Sequence, residues 1–518
     1  MRPRFRFRRW DLILAGAASL AFSAATTPAS AYFLHLDMPN QDFAALAWAR
    51  GCWEYTTEKM VGVFLLAPLF RLFGPSTVFE PVLLAILAAV TAAAVYELAR
   101  LLGRSRRAGV LAALLVTALP AHQYFSRTHI GYALPCLMLA WLAVWHKRWA
   151  WAGLAFGLLV IAHFGYGVIT AVSVAALAAF FLRPGQWRNW LALGLAGLAP
   201  LLAVEALFFA YLGRPMQWTQ GVLVAGQRWS GAGNGLSADP HWAWALEAAL
   251  GSNGWAFTAA LGLSLFSAIP LRRNATGLAL VLSGLFSVAA FTLAAVRHED
   301  FIARPLAPLF PLAAVGSAVA VEAVAQRLGD ARLRYGATAL VVAGLAAGIV
   351  HTGQFVRRFT ETTYPAVAGW MRQAAAANQP LRYDDVWVSL YYATVYGGEV
   401  LTGDGRWIEN NAPGQAVLIF DEAPPPGLSA DGYTVESVDV PASADGLYPT
   451  LTREAGLPRH SEVWWPAGPS APLRPEGGLP LSAHYYAGAG CLTAPPFGDG
   501  TLYFYQLAWR KLLGGLSN

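Results

Sequence analysis

The protein has 518 residues, of which 56% are hydrophobic and 13% charged, with a formal net charge of +6. Its mean hydropathy is +0.44. An ordinary soluble domain carries about 25% charged residues, so the composition excludes a water-soluble or disordered protein for most of the chain. Three cysteines, Cys52, Cys136 and Cys491, are too few for a disulfide framework or a Cys-rich zinc site. The sequence therefore predicts an integral membrane protein.

Apolar runs long enough to cross a bilayer recur along the first 353 residues. A helical span needs about 20 mostly apolar residues, because the helix rises about 1.5 Å per residue and the hydrocarbon core is about 30 Å thick. We predict about eleven transmembrane helices in all. They cover residues 12–34, 78–99, 108–122, 131–145, 149–163, 166–182, 190–211, 254–271, 276–296, 305–324 and 335–353.

The cations between these segments indicate the orientation. With the spans alternating, the loops on one side carry 18 Lys and Arg residues and the opposite short loops carry 8. Positive loops stay in the cytoplasm, so we expect a cytoplasmic amino terminus in a bacterial-type inner or plasma membrane. The arginines before the first span and Pro28–Ala31 are also typical of a cleavable signal peptide, and either interpretation leaves residue 35 onward outside the cytoplasm. Topology explains the positive charge, so no nucleic-acid partner is expected.

The composition changes after residue 353 to a segment rich in Pro, Gly and acidic residues. A helical pattern covers Tyr364–Ala377, and strand-like runs cover Asp385–Ser389, Ala416–Phe420 and Thr501–Tyr505. The predicted fold class is a polytopic α-helical membrane protein with a small extracytoplasmic C-terminal α/β domain. We divide the chain into a membrane domain, a first outer loop, a long outer loop and the C-terminal domain, at residues 1–353, 35–77, 212–253 and 354–518 respectively.

The first outer loop contains two candidate functional acids. Asp37 directly follows the first span, where its carboxylate would lie at lipid-headgroup depth. A helix is predicted to start at Pro39–Asn40 with Asn40 as its N-cap and to lie on the membrane surface, because apolar residues recur at helical spacing. Asp42 would lie in the first turn of this helix, where the helix dipole favours an acid. Asp37 is therefore the preferred catalytic acid–base residue, with Asp42 as the alternative.

Several stretches together resemble one family of membrane enzymes. They are the acid after span one, the loop sequence EKMVGVFLLAPLFRLFG, the run Ser126–His129 opening the fourth span, the run Arg304–Pro311 and the C-terminal strand LYFYQL. This layout resembles the GT-C superfamily of polytopic glycosyltransferases, in its protein-mannosyltransferase and aminoarabinose-transferase-like branch. The sequence departs from that branch where Met38 follows Asp37 in place of Glu, and where Lys59 is followed by Met60–Val61 in place of two prolines.

The resemblance implies a glycosyltransferase that moves a sugar from a polyprenyl-phosphate carrier to a lipid, glycan or protein acceptor on the outer face. The reaction would be inverting, with Asp37 or Asp42 accepting the proton of the acceptor hydroxyl. For the donor phosphate we expect Arg304 first, then Arg127 and Lys59, since a guanidinium fork matches phosphate oxygens. His129 is a further candidate for phosphate binding.

Other interpretations stay open at this point. Arg127 and Arg304 are also placed to reach lipid headgroups, and His129 to have a structural role. No cofactor or metal is predicted; a divalent cation held by Asp37 and by His298, Glu299 and Asp300 is the alternative. The rival functions are a transporter or flippase for a lipid-linked glycan, a glycan polymerase or ligase outside the GT-C class, and a non-catalytic scaffold.

Overall fold

The computed structural model of the protein is mostly helical. Among the residues that it describes, five helices are long and apolar enough to cross a membrane, and five shorter apolar helices accompany them. The described residues are 9–27, 38–51, 59–168, 170, 187–213, 215–216, 218–219, 243–293, 303–328, 331–359, 361–379, 381–383, 388, 391–392, 395–396, 399–402, 416–421, 424, 428–440, 448–468 and 481–484.

The helices follow one another closely along the membrane domain. They are α1 Arg9–Thr26, α2 Met38–Ala49, α3 Met60–Phe73, α4 Phe79–Gly103, α5 Arg106–Ala118, α6 Pro120–Phe125, α7 Ala133–Trp145, α8 Trp149–Ala162, α9 Trp187–Leu212, α10 Trp244–Gly262, α11 Ala268–Leu271, α12 Ala275–Leu293, α13 Leu309–Arg327 and α14 Ala331–Phe359. Short 3₁₀ helices cover His129–Tyr132, Leu263–Ser267 and Arg304–Leu306.

Most predicted spans coincide with these helices, but their ends differ. The first predicted span continues to residue 34, whereas α1 ends at Thr26 and residues 28–37 lie outside the described part. The span predicted from residue 254 is instead part of a longer helix, α10, which bends at Gly254 with φ of 72°. Glycine tolerates this backbone conformation because it has no Cβ. The span predicted to end at residue 353 continues to Phe359.

The prediction for the first outer loop was wrong in two respects. The helix α2 begins at Met38, so Asn40 is inside it and is not its N-cap. The helix does not have the single apolar face expected of an amphipathic helix either, because ten of its twelve residues are buried, on every side of the helix. Its neighbours explain this burial: α3, an apolar helix that we did not predict, packs along it, and Phe64 and Phe208 contact the ring of Trp48. The loop is thus part of the protein core.

The C-terminal domain contains a six-stranded mixed sheet. Its strands are β1 Leu381–Tyr383, β2 Glu399–Thr402, β3 Val417–Phe420, β4 Tyr433–Asp439, β5 His460–Pro466 and β6 Leu481–His484, in the order β4-β5-β3-β1-β2-β6. The pairs β1–β2 and β1–β3 are parallel, and the other three are antiparallel. Two helices accompany the sheet, α15 Tyr364–Ala376 and α16 Pro449–Ala455.

This domain matches the sequence prediction where it can be compared. The predicted helix over Tyr364–Ala377 and the predicted strand over Ala416–Phe420 are confirmed. The predicted strand Thr501–Tyr505 and nearly all of Asp385–Ser389 lie outside the described residues. The predicted fold class, a polytopic helical membrane protein with a small C-terminal sheet domain, is confirmed.

The C-terminal domain also contacts the membrane helices. His351 on α14 is hydrogen-bonded through Nε2 to the hydroxyl of Tyr448, at 3.2 Å. The ring of Phe355, one turn further along α14, meets the ring of Tyr448 edge to face, with centroids 4.6 Å apart. One turn of α14 therefore holds the segment that leads into α16.

Candidate functional site

Two carboxyl groups meet inside the protein where α2 and α4 approach. Asp42 on α2 and Glu80 in the first turn of α4 share a hydrogen bond, and each residue is only 1% exposed. The hydroxyl of Tyr132 lies 3.4 Å from Oε1 of Glu80 and donates to it. A hydrogen bond between two carboxyl groups requires a proton on one of them. We call Asp42, Glu80 and Tyr132 the acidic end of the site.

The environment of Asp42 alters its acidity. Burial raises the pKa of Asp42 from its ordinary 3.8 to about 8, because the charged form loses its hydration, and the hydrogen bond with Glu80 opposes part of this rise. A carboxyl group with a pKa in this range exchanges its proton near neutral pH, as a catalytic acid or base must. The position of Glu80 in the first turn of α4 favours an acid there through the helix dipole.

An amide side chain lies beside the acidic end. Gln41 packs over Gly62 of α3, so closely that a Cβ at position 62 would collide with its Nε2. The same Cβ would lie 2.9 Å from the ring of Tyr132. Within the part of the chain that the structure describes, neither the oxygen nor the nitrogen of the Gln41 amide has a hydrogen-bond partner. A buried amide is normally hydrogen-bonded, so Gln41 is suited to receive a polar ligand.

Arg304 is at the other end of the site. It begins a 3₁₀ turn before α13 and is 8% exposed. The hydroxyl of Tyr166 donates to the Arg304 carbonyl at 2.5 Å. The ring of Tyr166 stacks on His163, with centroids 3.7 Å apart and planes 12° apart, and the ring of His163 lies 6.3 Å from that of His129. The rings of His163 and Tyr166 thus connect the ring of His129 to the backbone carbonyl of Arg304, and we call these four residues the basic end.

The 3₁₀ helix His129–Tyr132 joins the two ends. The Thr128 hydroxyl caps it by accepting from the N–H of Ile130. Side chains three residues apart in a 3₁₀ helix lie on the same face. His129 of the basic end and Tyr132 of the acidic end are three residues apart, and both are buried. This short helix therefore links parts of the chain that are distant in the sequence. Tyr132 contacts Glu80, the partner of Asp42, and His129 lies near His163, whose neighbour Tyr166 is hydrogen-bonded to the backbone carbonyl of Arg304.

Lys59 lies near the acidic end. It directly precedes α3 and is 9% exposed. Gly62, against which Gln41 and Tyr132 pack, follows three residues later, which is close to one helical turn. The backbone thus places Lys59 one turn from the contact between Gln41 and Tyr132.

Arg127 has a different environment from Arg304. One of its terminal nitrogens, Nη1, donates to the carbonyl and to the side-chain oxygen of Gln123, both at 2.7 Å, and Nη2 donates to the Thr26 hydroxyl at 2.5 Å. Its guanidinium also lies 5.5 Å from the ring centroid of Phe22. These contacts connect the turn after α6 to the end of α1, as expected for a structural arginine.

Some predicted residues lie outside the described part of the chain. Asp37 is one of them; it directly precedes α2 in the sequence. His298, Glu299 and Asp300, the alternative metal ligands, also lie outside it. Within the described residues, no group of three or more His, Cys, Asp or Glu side chains is arranged to hold a metal ion.

The C-terminal domain contributes to the acidic end. Tyr391 is buried, and its ring lies 6.5 Å from that of Phe70 on α3. Burial raises the pKa of Tyr391, and the negative charge of Asp42 raises it further. The site is therefore built from both parts of the protein.

Comparison with solved structures identifies the architecture. No protein-family model matches the sequence, and no curated protein has a significantly similar sequence. ArnT from Cupriavidus metallidurans bound to undecaprenyl phosphate superimposes with a TM-score of 0.57 at 14% identity, covering 90% of this chain and 100% of that one. The same protein in the apo state gives 0.54 at 13% identity, covering 90% and 99%. The chain has the fold of ArnT, the GT-C fold.

A further GT-C structure aligns over less of its length. It is the archaeal oligosaccharyltransferase AglB from Archaeoglobus fulgidus in complex with an inhibitory peptide and a dolichol-phosphate, with a TM-score of 0.48 at 14% identity. The alignment covers 76% of this chain and 64% of AglB.

Sequence analysis missed several residues of the site in this GT-C fold. Gln41, Glu80, Tyr132, His163 and Tyr391 were not singled out. Glu80 carried a usable signal, because an acid at the start of an apolar helix of 25 residues marks a functional position in a membrane protein. Gln41 and Tyr391 carried none, since only the tertiary packing brings them to the carboxyl pair.

Proposed function

We propose that this protein is an inverting glycosyltransferase that moves a sugar from a polyprenyl-phosphate carrier to a hydroxyl group on the outer face of the membrane. One observation carries the proposal: inside a GT-C fold, the helix His129–Tyr132 contacts a buried carboxyl pair through Tyr132 and, through the rings of His163 and Tyr166, reaches the backbone of the buried Arg304. Such a transfer needs an acid–base group for the acceptor and a cation for the departing phosphate, and this cluster contains both.

The reaction is a direct displacement at the anomeric carbon of the sugar. The oxygen of the acceptor hydroxyl bonds to this carbon while the bond from the carbon to the phosphate oxygen breaks. The hydroxyl proton passes to an aspartate, and the bonding electrons leave with the polyprenyl phosphate. Inversion follows because the acceptor attacks from the face opposite the phosphate.

Arg304 is the proposed main phosphate ligand. A phosphate accepts two parallel hydrogen bonds from a guanidinium, and a poorly hydrated environment strengthens both. His129 and Lys59 would add donors, His129 from the same ring stack and Lys59 from the start of α3. Arg127, which we also proposed from the sequence, donates through its terminal nitrogens to Gln123 and Thr26, so we assign it a structural role.

The base is one of the two aspartates of the first outer loop. Asp42 is supported by its contact with Glu80 and by a pKa that burial raises toward neutrality. Asp37, the preferred residue from sequence, precedes α2 and lies outside the described residues. Replacing each by Asn separates them, since the true base loses turnover but keeps donor binding.

The membrane context supports a lipid donor. The first outer loop, including α2 and α3, lies outside the cytoplasm in the proposed orientation, where nucleotide sugars are absent. A carrier whose chain lies in the bilayer presents its phosphate at the interface. The acceptor is then a lipid, glycan or protein hydroxyl exposed on that face, and the protein works as an integral membrane enzyme of a bacterial-type inner or plasma membrane.

The experiment uses the full chain, purified into lipid nanodiscs and given a panel of undecaprenyl-phosphate sugars with extracted envelope lipids and glycans as acceptors. Release of free undecaprenyl phosphate, followed by mass spectrometry, reports turnover whichever acceptor is used. We expect at least one donor to be consumed, and Arg304→Gln to abolish its consumption. If no donor is consumed while the protein moves the intact lipid between leaflets, it is a transporter.

A further inference from the structure

The carboxyl pair has a feature that the proposed function does not require. A single acidic base would suffice for transfer, yet Asp42 is hydrogen-bonded to a second buried carboxyl, that of Glu80. Two buried carboxylates in contact repel each other, so at least one proton is held between them. Such a pair is costly to bury and calls for an explanation.

We propose that Asp42 and Glu80 form one acid–base unit, in which Glu80 keeps a proton and positions Asp42 as the base for the acceptor hydroxyl. This inference rests on the proposed function and names Glu80 as a positioning residue for it. Asp42, which touches the acceptor, is the catalytic residue, and Gln41 binds the acceptor hydroxyl beside it.

Unused polar atoms around the pair support a ligand of this kind. Within the described residues, Oδ1 of Asp42, Oε2 of Glu80 and both polar atoms of the Gln41 amide are buried without hydrogen-bond partners. Asp42 and Gln41 are each 1% exposed. Together they offer donors and acceptors of hydrogen bonds in an otherwise apolar setting. A sugar or other polyol presents hydroxyl groups that both donate and accept, so it satisfies such a set.

The proton balance is simple. Before transfer, Glu80 carries a proton and donates it in a hydrogen bond to the Asp42 carboxylate. During transfer, Asp42 takes the proton of the acceptor hydroxyl through its other oxygen, while the new bond to the anomeric carbon forms and the bond to phosphate breaks. Both carboxyl groups are then protonated, and the pair returns one proton to water after the product leaves.

The unit predicts a specific pH dependence. Asp42 must be ionised to accept a proton, so transfer accelerates as pH rises through its pKa, which burial places at about 8. Among the described residues, the titratable groups that interact electrostatically with Asp42 include Glu80 on α4, Tyr132 after α6 and Tyr391 of the C-terminal domain. A hydrogen bond donated to a carboxylate favours its charged form, so Glu80 lowers the pH at which Asp42 works.

The test compares two substitutions of Glu80. Glu80→Gln keeps an N–H that donates to Asp42, whereas Glu80→Leu keeps the approximate size and removes the donor. In the pH–rate profile, the rate rises with pH around a midpoint set by Asp42. We expect Glu80→Gln to leave this midpoint within about half a pH unit of the wild type, and Glu80→Leu to raise it by about one pH unit or more. Asp42→Asn should lose transfer altogether, and the exposed Glu361→Gln should change nothing.

A second readout requires neither sugar nor acceptor. Isotope-edited infrared spectra of the full chain in nanodiscs record protonated carboxyl groups directly. We expect a band of a buried protonated carboxyl to persist at alkaline pH in the wild type and to be absent from Glu80→Gln. A wild type without such a band overturns the inference, even if Glu80→Leu fails to fold.

The outcomes distinguish this inference from the proposed function. If the Glu80→Leu variant is active and its pH–rate profile is unchanged, the carboxyl unit is overturned, but the proposed glycosyltransferase function is not. An Asp42→Asn variant with full glycosyl transfer also overturns the carboxyl unit, and it assigns the role of base to Asp37. Absence of transfer by the wild type, with the infrared band present, rejects the proposed function and leaves the shared proton as a structural feature.

Discussion

At the scale of single residues, burial and hydrogen bonding separate the candidate side chains better than their positions in the sequence do. Arg127 and Arg304 are both buried and were predicted for the same role. The terminal nitrogens of Arg127 donate to Gln123 and Thr26, which fixes the end of α1. Arg304 instead lies beside the stacked rings of His163 and Tyr166, and the Tyr166 hydroxyl donates a hydrogen bond to its backbone carbonyl. The two arginines should respond differently to substitution.

Arg304→Gln should weaken the binding of undecaprenyl phosphate by about tenfold to a hundredfold, since a hydrogen bond to a charged group contributes about 1.5–3 kcal/mol. The hydrogen bond from Tyr166 is made to the backbone of Arg304, so the substitution leaves that contact in place. Titration by native mass spectrometry measures the affinity, and Arg358→Gln, at an exposed position of α14, is the control. Equal affinity in both variants would contradict a phosphate role for Arg304.

Arg127→Leu should lower the melting temperature of the protein and leave the affinity for undecaprenyl phosphate unchanged. The substitution leaves the partner oxygens of Gln123 and Thr26 without their donor, which costs about 1–3 kcal/mol for each buried group. Thermal unfolding in detergent measures the first effect and native mass spectrometry the second. Weaker lipid binding at an unchanged melting temperature would assign Arg127 to the phosphate instead.

At the scale of elements, the first outer loop shows how tertiary packing overrides a local pattern. Phe43, Leu46 and Ala47 recur at helical spacing, which predicts the helix correctly. The same pattern suggested one apolar face, but the helix is buried all around. The apolar run of α3 covers it, and a glycine in that run makes the close approach possible. The sequence could reveal the helix but not its neighbours, because these come from distant parts of the chain.

Gly62→Ala should destabilise the protein by about 1–3 kcal/mol, because the added methyl group collides with the Gln41 amide and crowds the ring of Tyr132. Gly344→Ala is the matched control: it also lies within a helix, and a Cβ there meets nothing within 4 Å. That variant should be neutral or more stable by up to about 1 kcal/mol, since alanine favours helix. Thermal unfolding of both variants checks the contact, and equal melting temperatures would refute it.

At the scale of the whole molecule, the apolar composition and the spacing of its runs were enough to predict the fold class. Long apolar stretches must form helices in a bilayer because every backbone polar group needs a partner there. The division into a membrane part and a C-terminal domain follows from the change in composition. The position of Tyr391 beside Phe70 of α3 does not follow from it, since that ring pair joins residues hundreds of positions apart and depends on how the two parts dock.

The orientation proposed from the cations is testable with single cysteines in a variant lacking Cys52, Cys136 and Cys491. Asp439→Cys, exposed on the C-terminal sheet, should react with a membrane-impermeant maleimide added to intact cells. Arg148→Cys, exposed between α7 and α8, should react only after the cells are permeabilised. The reverse pattern would invert the topology and remove the argument for a lipid-linked donor.

The position of the donor phosphate tests the account most directly. A cryo-electron microscopy map of the full chain in nanodiscs with undecaprenyl phosphate should show the phosphate beside Arg304 and His129, with its chain running into the bilayer. A phosphate bound instead at the arginine-rich stretch Arg104–Arg107, where α4 ends and α5 begins, would contradict the account. The acidic and basic ends of the site would then have no common substrate.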